Sequence, residues 1–381
     1  MKQKSRQKKE AVRFRKRLFF IEIYAIIKDE MLTKKSDIQI PFGAMQIPRD
    51  YTGFVFISDI DKTYLATQID SLGGLLRAAF EAPESKSNVP GFSIILRAIR
   101  RGAMEQTVKN PLFFVSASPP QMRPKLLAKM EMDGVEHDGI ICKNQLSQVR
   151  RGNFRKLKEQ IGYKLYALLS LWSELPENCK TVMFGDDSES DAVIYSLFGE
   201  ILAGVLRGRA LTKLLGWLGV FREDALSIAW LARSVRTPKY PLYAAFINLE
   251  TGSQASYYSK LGSFVYPTNN SLQTAMSLYE MGLIRDRAVR SVGRELVIHY
   301  DFHPQQLQQS LEEGARRGLF LAATLDKLSG MLFEAGVLPE PVPRVPNEGE
   351  VTRLNPQRWF IDNAKVTMAE LMKRYSEEGR Y

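Results

Sequence analysis

The 381-residue sequence predicts an α/β fold, a mainly parallel sheet with helices on both faces. Short runs rich in aromatic and β-branched residues recur between segments of helical spacing, which argues for strands alternating with helices. These runs are apolar throughout instead of alternating in polarity, as strands buried on both faces are. Polar side chains collect where the runs end, and in open parallel sheets ligands bind beyond those carboxyl ends.

The elements follow in order. Residues 1–50 read as a basic helical extension ending in a connection of turn formers around Pro41-Phe42-Gly43. The first strand is TGFVFISD, 52–59, bounded by Gly53 and a polar cluster. The segment PGFSIILRAIRRGAM, 90–104, places Ile94, Ile95, Ala98 and Ile99 on one side of a helix. PLFFVSAS, 111–118, is the second strand. QMRPKLLAKMEM reads as a helix whose first turn takes Pro124, where the missing N–H costs nothing. DGIICK, 138–143, is a third strand, 153–173 a helix, and KTVMFGD, 180–186, a fourth strand. Residues 196–238 are less regular, with ALTKLLGWLGVF as an apolar helical stretch, and read as an insertion. YPLYAAFINLE, 240–250, and SFVYPTNN, 263–270, supply a fifth and a sixth strand, with a helix through SLQTAMSLYEMGLI behind them. The expected organisation is an extension over 1–50, a catalytic domain over 51–285 and a helical C-terminal extension over 286–381. Within the last, the proline-rich stretch 339–350 reads as a spacer.

Composition bounds the function. Hydrophobic residues make up 45% and charged residues 25%, an ordinary globular balance in a chain long enough to bury a full core. Cys142 and Cys179 are the only cysteines, which argues against a disulfide framework or a thiolate zinc site and for a reducing, cytoplasmic setting. His137, His299 and His303 form no zinc pattern with them. The net charge is +11, and much of the excess lies in MKQKSRQKKEAVRFRKR. Two readings of that run stand side by side: a solvated tail, and peripheral contact with an anionic membrane or partner. The run LFFIEIYAII carries Glu22 and has no cleavage site behind it, so it is not expected to be a secretory signal. No stretch reaches the roughly 18 apolar residues of a membrane span. No nucleic-acid fold motif accompanies the basic run, and no nucleic-acid partner is expected.

Four signals carry the chemistry. The first is Asp59-Ile60-Asp61-Lys62-Thr63 at the end of the first strand, where a looping chain can turn both carboxylates to one site. The second is Ser116, in SASP after the second strand, whose hydroxyl can hold a phosphate oxygen. The third is a lysine ahead of the fourth strand, with Lys156, Lys158 and Lys164 as candidates. The fourth is Gly185-Asp186-Asp187-Ser188-Glu189-Ser190-Asp191, acidic oxygens on a loop suited to Mg²⁺. Part of that loop has a plainer reading, as a helix start with a capping residue and acids favoured by the dipole.

In this order, and at strand ends, the four resemble the motifs of the haloacid-dehalogenase (HAD) superfamily. SDIDKT, SASP, YKL at 163–165 and GDDSESDAVIY resemble most the phosphatidate phosphatase catalytic domain of the actin-patch type, related to the lipins. The resemblance covers roughly 51–285. Lys62 stands where that family commonly carries an acid, and Asp187-Ser188 replaces its Ser-Gly. The resemblance implies a HAD-like Rossmannoid three-layer sandwich and a Mg²⁺-dependent phosphatase. It implies Asp59 as nucleophile, Asp61 as acid and base, and Thr63 as support for the loop. Ser116, Ser118 and Lys164 would hold phosphoryl oxygens. Mg²⁺ would lie between Asp59, the backbone carbonyl of Asp61 and Asp186, with Asp187 or Asp191 assisting. A lipid phosphate such as phosphatidate is the expected substrate, helped by the basic N-terminus and the apolar stretch 211–221 at an anionic membrane surface. A soluble phosphomonoester and a non-catalytic phosphate-sensing module are the alternatives; the presence of both Asp59 and Asp61 counts against the last.

Overall fold

A computed structural model describes residues 40–66, 88–103, 109–118, 120–143, 156–235, 237–342, 356–363 and 365–376. The helix expected within 1–39, most of the proline-rich stretch and the side chains of Lys156 and Lys158 lie outside the described part. The turn formers at Pro41 lead into one turn of helix, α1 (Phe42–Met45).

Six strands form one sheet: β1 (Phe54–Ser58), β2 (Leu112–Ser116), β3 (Gly139–Cys142), β4 (Lys180–Asp186), β5 (Ala244–Asn248) and β6 (Val265–Thr268). Their order is β3-β2-β1-β4-β5-β6, and every pairing is parallel. The expectation of a mainly parallel sheet is met by an all-parallel one. Side chains of successive residues face opposite sides, and both sides are buried. Val55, Ile57, Phe113, Val115 and Met183 belong to one core, while Phe56, Phe114, Val182 and Phe184 belong to the other. That is why the strands read as unbroken apolar runs. On the second side Phe56, Phe184, Phe246 and Tyr266 line up across four strands, with successive ring centroids 6.4, 5.5 and 5.1 Å apart.

Helices cover both faces, giving a Rossmann-like three-layer sandwich. The first face carries α4 (Lys156–Trp172), α5 (Asp191–Leu202), α6 (Gly208–Trp217) and α7 (Arg222–Ser234). The second carries α2 (Phe92–Arg101), α3 (Arg123–Met132), α8 (Ser271–Glu280), α9 (Asp286–His299), α10 (Pro304–Arg316) and α11 (Ala322–Glu334). The region 196–238 is more regular than expected: α6 and α7 form a helical hairpin packed on α4. Its periodicity is faint because α7 buries small residues, Ala225, Ser227, Ala229 and Ala232, beside Ile228 and Leu231.

The chain starts at the centre of the sheet with β1, builds outward through β2 and β3, then returns to the other side of β1 with β4. The reversal leaves a crevice between the carboxyl ends of β1 and β4, the usual ligand position in such sheets.

After residue 342 on the second face, the chain is next described on the first, as α12 (Pro356–Asp362) and α13 (Met368–Arg374). Phe360 stacks on Phe264 with centroids 5.1 Å apart. Tyr375 is buried with its hydroxyl 3.0 Å from Ser196 Oγ of α5. Arg374 lies over the Trp359 ring and pairs with Glu200, a fully buried carboxylate of α5. Removing one partner of a buried pair costs about 3–5 kcal/mol, whereas replacing both by neutral groups costs little. Arg374→Met should therefore lower the unfolding free energy measured by urea titration by about 3–5 kcal/mol, and the double substitution Glu200→Gln/Arg374→Met should recover most of it.

Candidate active site

The site forms where β1, β2 and β4 end. The backbone N–H of Asp59 donates to Phe184 O at 2.9 Å, so Asp59 is held in the last rung between β1 and β4. The chain then folds back: Tyr64 and Leu65 donate to Ile60 O at 3.0 and 2.9 Å, and Lys62 donates to Leu65 O at 2.7 Å. Lys62 closes this loop in the left-handed conformation, φ 57°, which few side chains adopt. The fold-back separates the two aspartates. Asp61 Oδ2 accepts from Ser118 Oγ at 2.9 Å and lies 3.4 Å from Ser116 Oγ, which itself accepts from Ser118 N at 3.0 Å. Thr63 is buried, with its hydroxyl 3.5 Å from Asp186 Oδ2.

Asp186 ends β4. Its Oδ1 accepts from the backbone of Ser188 at 2.6 Å and of Glu189 at 3.2 Å, and also from the Ser188 hydroxyl. Asp191 opens α5 and is drawn against Gly185, where a Cβ would stand 2.5 Å from Asp191 Oδ2 and 2.6 Å from its Cβ. Only glycine leaves room for that approach. Tyr195, one turn into α5, donates its hydroxyl to Phe184 O at 2.8 Å and pins the helix to β4.

Between the two loops stands Lys164 of α4, 1% exposed. Its Nζ is 2.6 Å from Asp191 Oδ1, 2.6 Å from Glu189 Oε2 and 3.0 Å from Asp59 Oδ1. The contact with Asp59 is an ion pair without hydrogen-bond alignment. Asp59, Asp186 and Asp191 are all buried, and each offers an oxygen within 4.8 Å of the others. One ammonium therefore faces four carboxylates, counting Glu189. Burial pushes the Asp59 carboxyl well up, with Lys164 pulling against it and Asp191 and Glu189 adding to the rise. Burial, Asp191 and Glu189 push Asp186 up to about 7. Asp191 rises to about 6 by burial, against the pull of Lys164. Burial works against the Lys164 charge, yet Asp191, Asp59 and Glu189 hold its pKa well above the usual lysine value.

Asp59 Oδ2 and Asp191 Oδ2 are buried without a hydrogen-bond donor. Unsatisfied carboxylate oxygens at such depth are costly, and a cation taking oxygen ligands would satisfy them. The residues fit a hard divalent metal ion. The triad that could hold it is Asp59, Asp186 and Asp191.

The structure thus brings together Asp59, Asp186, Asp191 and Lys164, with Thr63 beside them and Asp61, Ser116 and Ser118 as an adjoining group. Asp187 does not join. Its carboxylate turns away and accepts from Glu250 N at 2.8 Å, Thr251 N at 2.9 Å, Thr251 Oγ1 at 2.8 Å and Ser253 N at 3.3 Å. Burial opposes its charge, but these donors hold its pKa below the usual carboxylate value. Asp187 fastens the loop after β5 instead of facing a metal. The Asp61 carboxylate lies with the serines and outside the triad; the metal contact expected of Asp61 is through its backbone carbonyl. Two residues were not anticipated. Glu189 pairs with Lys164 and accepts from Gln160 Nε2 at 3.0 Å; its place in the acidic loop was visible, its partner was not. Lys143 is buried at the end of β3, where its N–H donates to Ser118 O at 3.1 Å. Nothing in DGIICK distinguishes it from a surface lysine.

Two acidic loops meeting at the switch point of a parallel sheet, around one buried lysine, define a catalytic domain of the kind that handles phosphate esters. Residues 54–203 match the family model described as phosphatidate phosphatase APP1, catalytic domain. The match bears out the resemblance read from the motifs and supports a phosphatase, a hydrolase, as the class of this segment. It runs from β1 through α5, holds both acidic loops and Lys164, and ends before α6, α7, β5 and β6. No curated protein and no solved structure matches the chain.

The crowded carboxylates make the metal-free protein sensitive to pH. Asp186 has its folded pKa near 7 against an ordinary value of 3.8, so the folded state binds more protons between those values. Stability then falls as pH rises from about 4 to about 7. In the presence of a chelator, Asp186→Asn should raise the melting temperature at pH 7 by about 3 °C or more and flatten this dependence. An asparagine there can still accept the bonds from Ser188 and Glu189. Thermal unfolding of both proteins across that pH range checks the expectation.

Proposed function

We propose that the protein is a Mg²⁺-dependent phosphatase of the HAD type that hydrolyses phosphatidate through an aspartyl-phosphate on Asp59. The observation that carries this reading is the buried Asp59–Asp186–Asp191 triad around Lys164, inside the segment that matches a phosphatidate phosphatase catalytic domain.

Asp59 lies buried where β1 and β4 end, with one carboxylate oxygen unpartnered. That oxygen attacks phosphorus, and the bond to the lipid oxygen breaks. Asp61, held apart by the hydroxyls of Ser116 and Ser118, gives the leaving oxygen its proton. Asp61 then takes a proton from water, which attacks the phosphoryl group on Asp59 and releases inorganic phosphate. Lys164 opposes the rise that burial imposes on the Asp59 carboxyl and offsets phosphoryl charge. Asp59, Asp186 and Asp191 would hold the Mg²⁺, which when bound neutralises the negative charge that the nucleophile and the phosphate bring together.

Inorganic phosphate release with Mg²⁺, from phosphatidate vesicles and from a panel of soluble phosphomonoesters, tests this. The wild-type protein should release phosphate from phosphatidate, and Asp59→Asn should reduce the rate by about three orders of magnitude or more. A chelator should abolish release, and returned Mg²⁺ should restore it. Preference for a soluble ester would move the substrate class while keeping the chemistry. A folded wild-type protein that releases no phosphate from any of them would refute the reading.

A further inference from the structure

The α6–α7 hairpin carries a surface that the chemistry of the site does not use. Its turn exposes two large aromatic side chains, Trp217 and Phe221, four residues apart and each 43% exposed. They flank Val220, which is buried and holds the turn to the body of the protein. Three exposed cations lie along the same hairpin, Arg209, Lys213 and Arg222, against two acids at the start of α7, Glu223 and Asp224. Arg209, Lys213 and Trp217 recur at intervals of four along α6, which sets them on one side of that helix. Among the described residues none of these cations pairs with a carboxylate. The opposite side of α6 buries Leu211, Leu214 and Leu215, so the outward side is what the hairpin leaves to a partner.

The turn also has a fixed place relative to the site. A Cβ on Gly162 of α4 would stand 3.2 Å from Val220 Cγ1 and 3.5 Å from Asp224 Cβ, so the turn lies directly against that glycine. Gln160 and Lys164, on either side of it in α4, reach Glu189 and Asp59. The α6–α7 turn therefore packs on the stretch of α4 that also carries Lys164.

Aromatic side chains beside unpaired cations suit the boundary layer of a bilayer: the rings enter the headgroup region and the cations meet lipid phosphates and carboxylates. We propose that the α6–α7 turn is the surface on which this protein seats on an anionic phospholipid bilayer, with Trp217 and Phe221 inserted and Arg209, Lys213 and Arg222 against the headgroups. Binding itself does not depend on catalysis; only its benefit to turnover rests on the phosphatidate reading.

Flotation of the full chain with vesicles tests the surface, using phosphatidylcholine alone and phosphatidylcholine with phosphatidylserine. Neither lipid is a phosphomonoester, so the outcome is separate from whether phosphatidate is the substrate. The wild type should float with the serine-containing vesicles and be released by high salt. Trp217→Ala/Phe221→Ser should weaken binding about tenfold or more, with unchanged melting temperature and unchanged turnover of a soluble phosphomonoester. Quenching of tryptophan fluorescence by bromine-labelled acyl chains, seen in the wild type and lost in Trp217→Phe, should place that ring in the bilayer without disturbing the fold. Wild-type protein that does not float, or a double variant that floats as well as the wild type, would overturn the proposal; the second result would assign binding to another surface.

Discussion

The site depends on one buried ammonium group. Lys164 touches Asp59, Glu189 and Asp191, with Asp186 close behind, and none of these groups could be carried at that depth without it. A buried ion pair is a weak source of stability, because desolvation consumes most of the attraction. Here the imbalance is larger still, since one positive charge serves several negative ones. The cluster is a strained arrangement that the surrounding structure enforces. Its excess negative charge is what makes the triad receptive to a cation.

Enforcement comes from rigid neighbours on every side. Asp59 and Asp186 end adjacent paired strands, so their backbones cannot drift apart without breaking the ladder. Asp191 is pressed to Gly185 by α5, which is pinned at one end by the Tyr195 hydroxyl on Phe184 O. The far end of α5 is gripped by the C-terminal segment, through Ser196 to Tyr375 and Glu200 to Arg374. A stretch nearly two hundred residues away in sequence thus braces the helix that supplies one carboxylate of the triad. Repulsion among the carboxylates pushes the loops apart, and packing of this kind resists it.

Much of this was legible from residue types. The fourth strand, KTVMFGD, is β4 residue for residue, because an apolar run bounded by turn residues and ending in glycine and aspartate leaves little choice. The order of motifs at strand ends brought out Asp59 and the acidic loop after β4, while the resemblance to a known family implied Lys164 over Lys156 and Lys158 and a part for Asp191. What could not be read was direction within the acidic loop. Asp187 and Glu189 are equally plausible ligands on paper. Asp187 turns outward because the loop after β5 offers it four donors, from residues more than sixty positions later. Glu189 turns inward because Lys164 and Gln160 of α4 wait there. Both choices are made by partners remote in sequence, and local pattern holds no trace of them. The same is true of α12 and α13, whose short apolar segments look like a loose tail until Phe264, Ser196 and Glu200 give them a binding face.

Asp59 and Asp61 show how the fold divides labour between like groups. Two residues apart in a continuing strand, they would point the same way and meet the same surroundings. The left-handed turn at Lys62 breaks that equivalence. Asp59 stays in the ladder and enters the ion cluster, where burial raises its pKa and only Lys164 opposes the rise. Asp61 leaves the ladder and meets hydroxyl donors from the end of β2, at Ser116 and Ser118. Different surroundings are what let two carboxylates take different parts in one reaction. The backbone conformation of Lys62 and the hydrogen bonds of its neighbours maintain that division. An acid there would add negative charge to a loop already next to the buried carboxylates of Asp59, Asp186 and Asp191; burial raises the pKa of Glu250, and Lys62 opposes that rise.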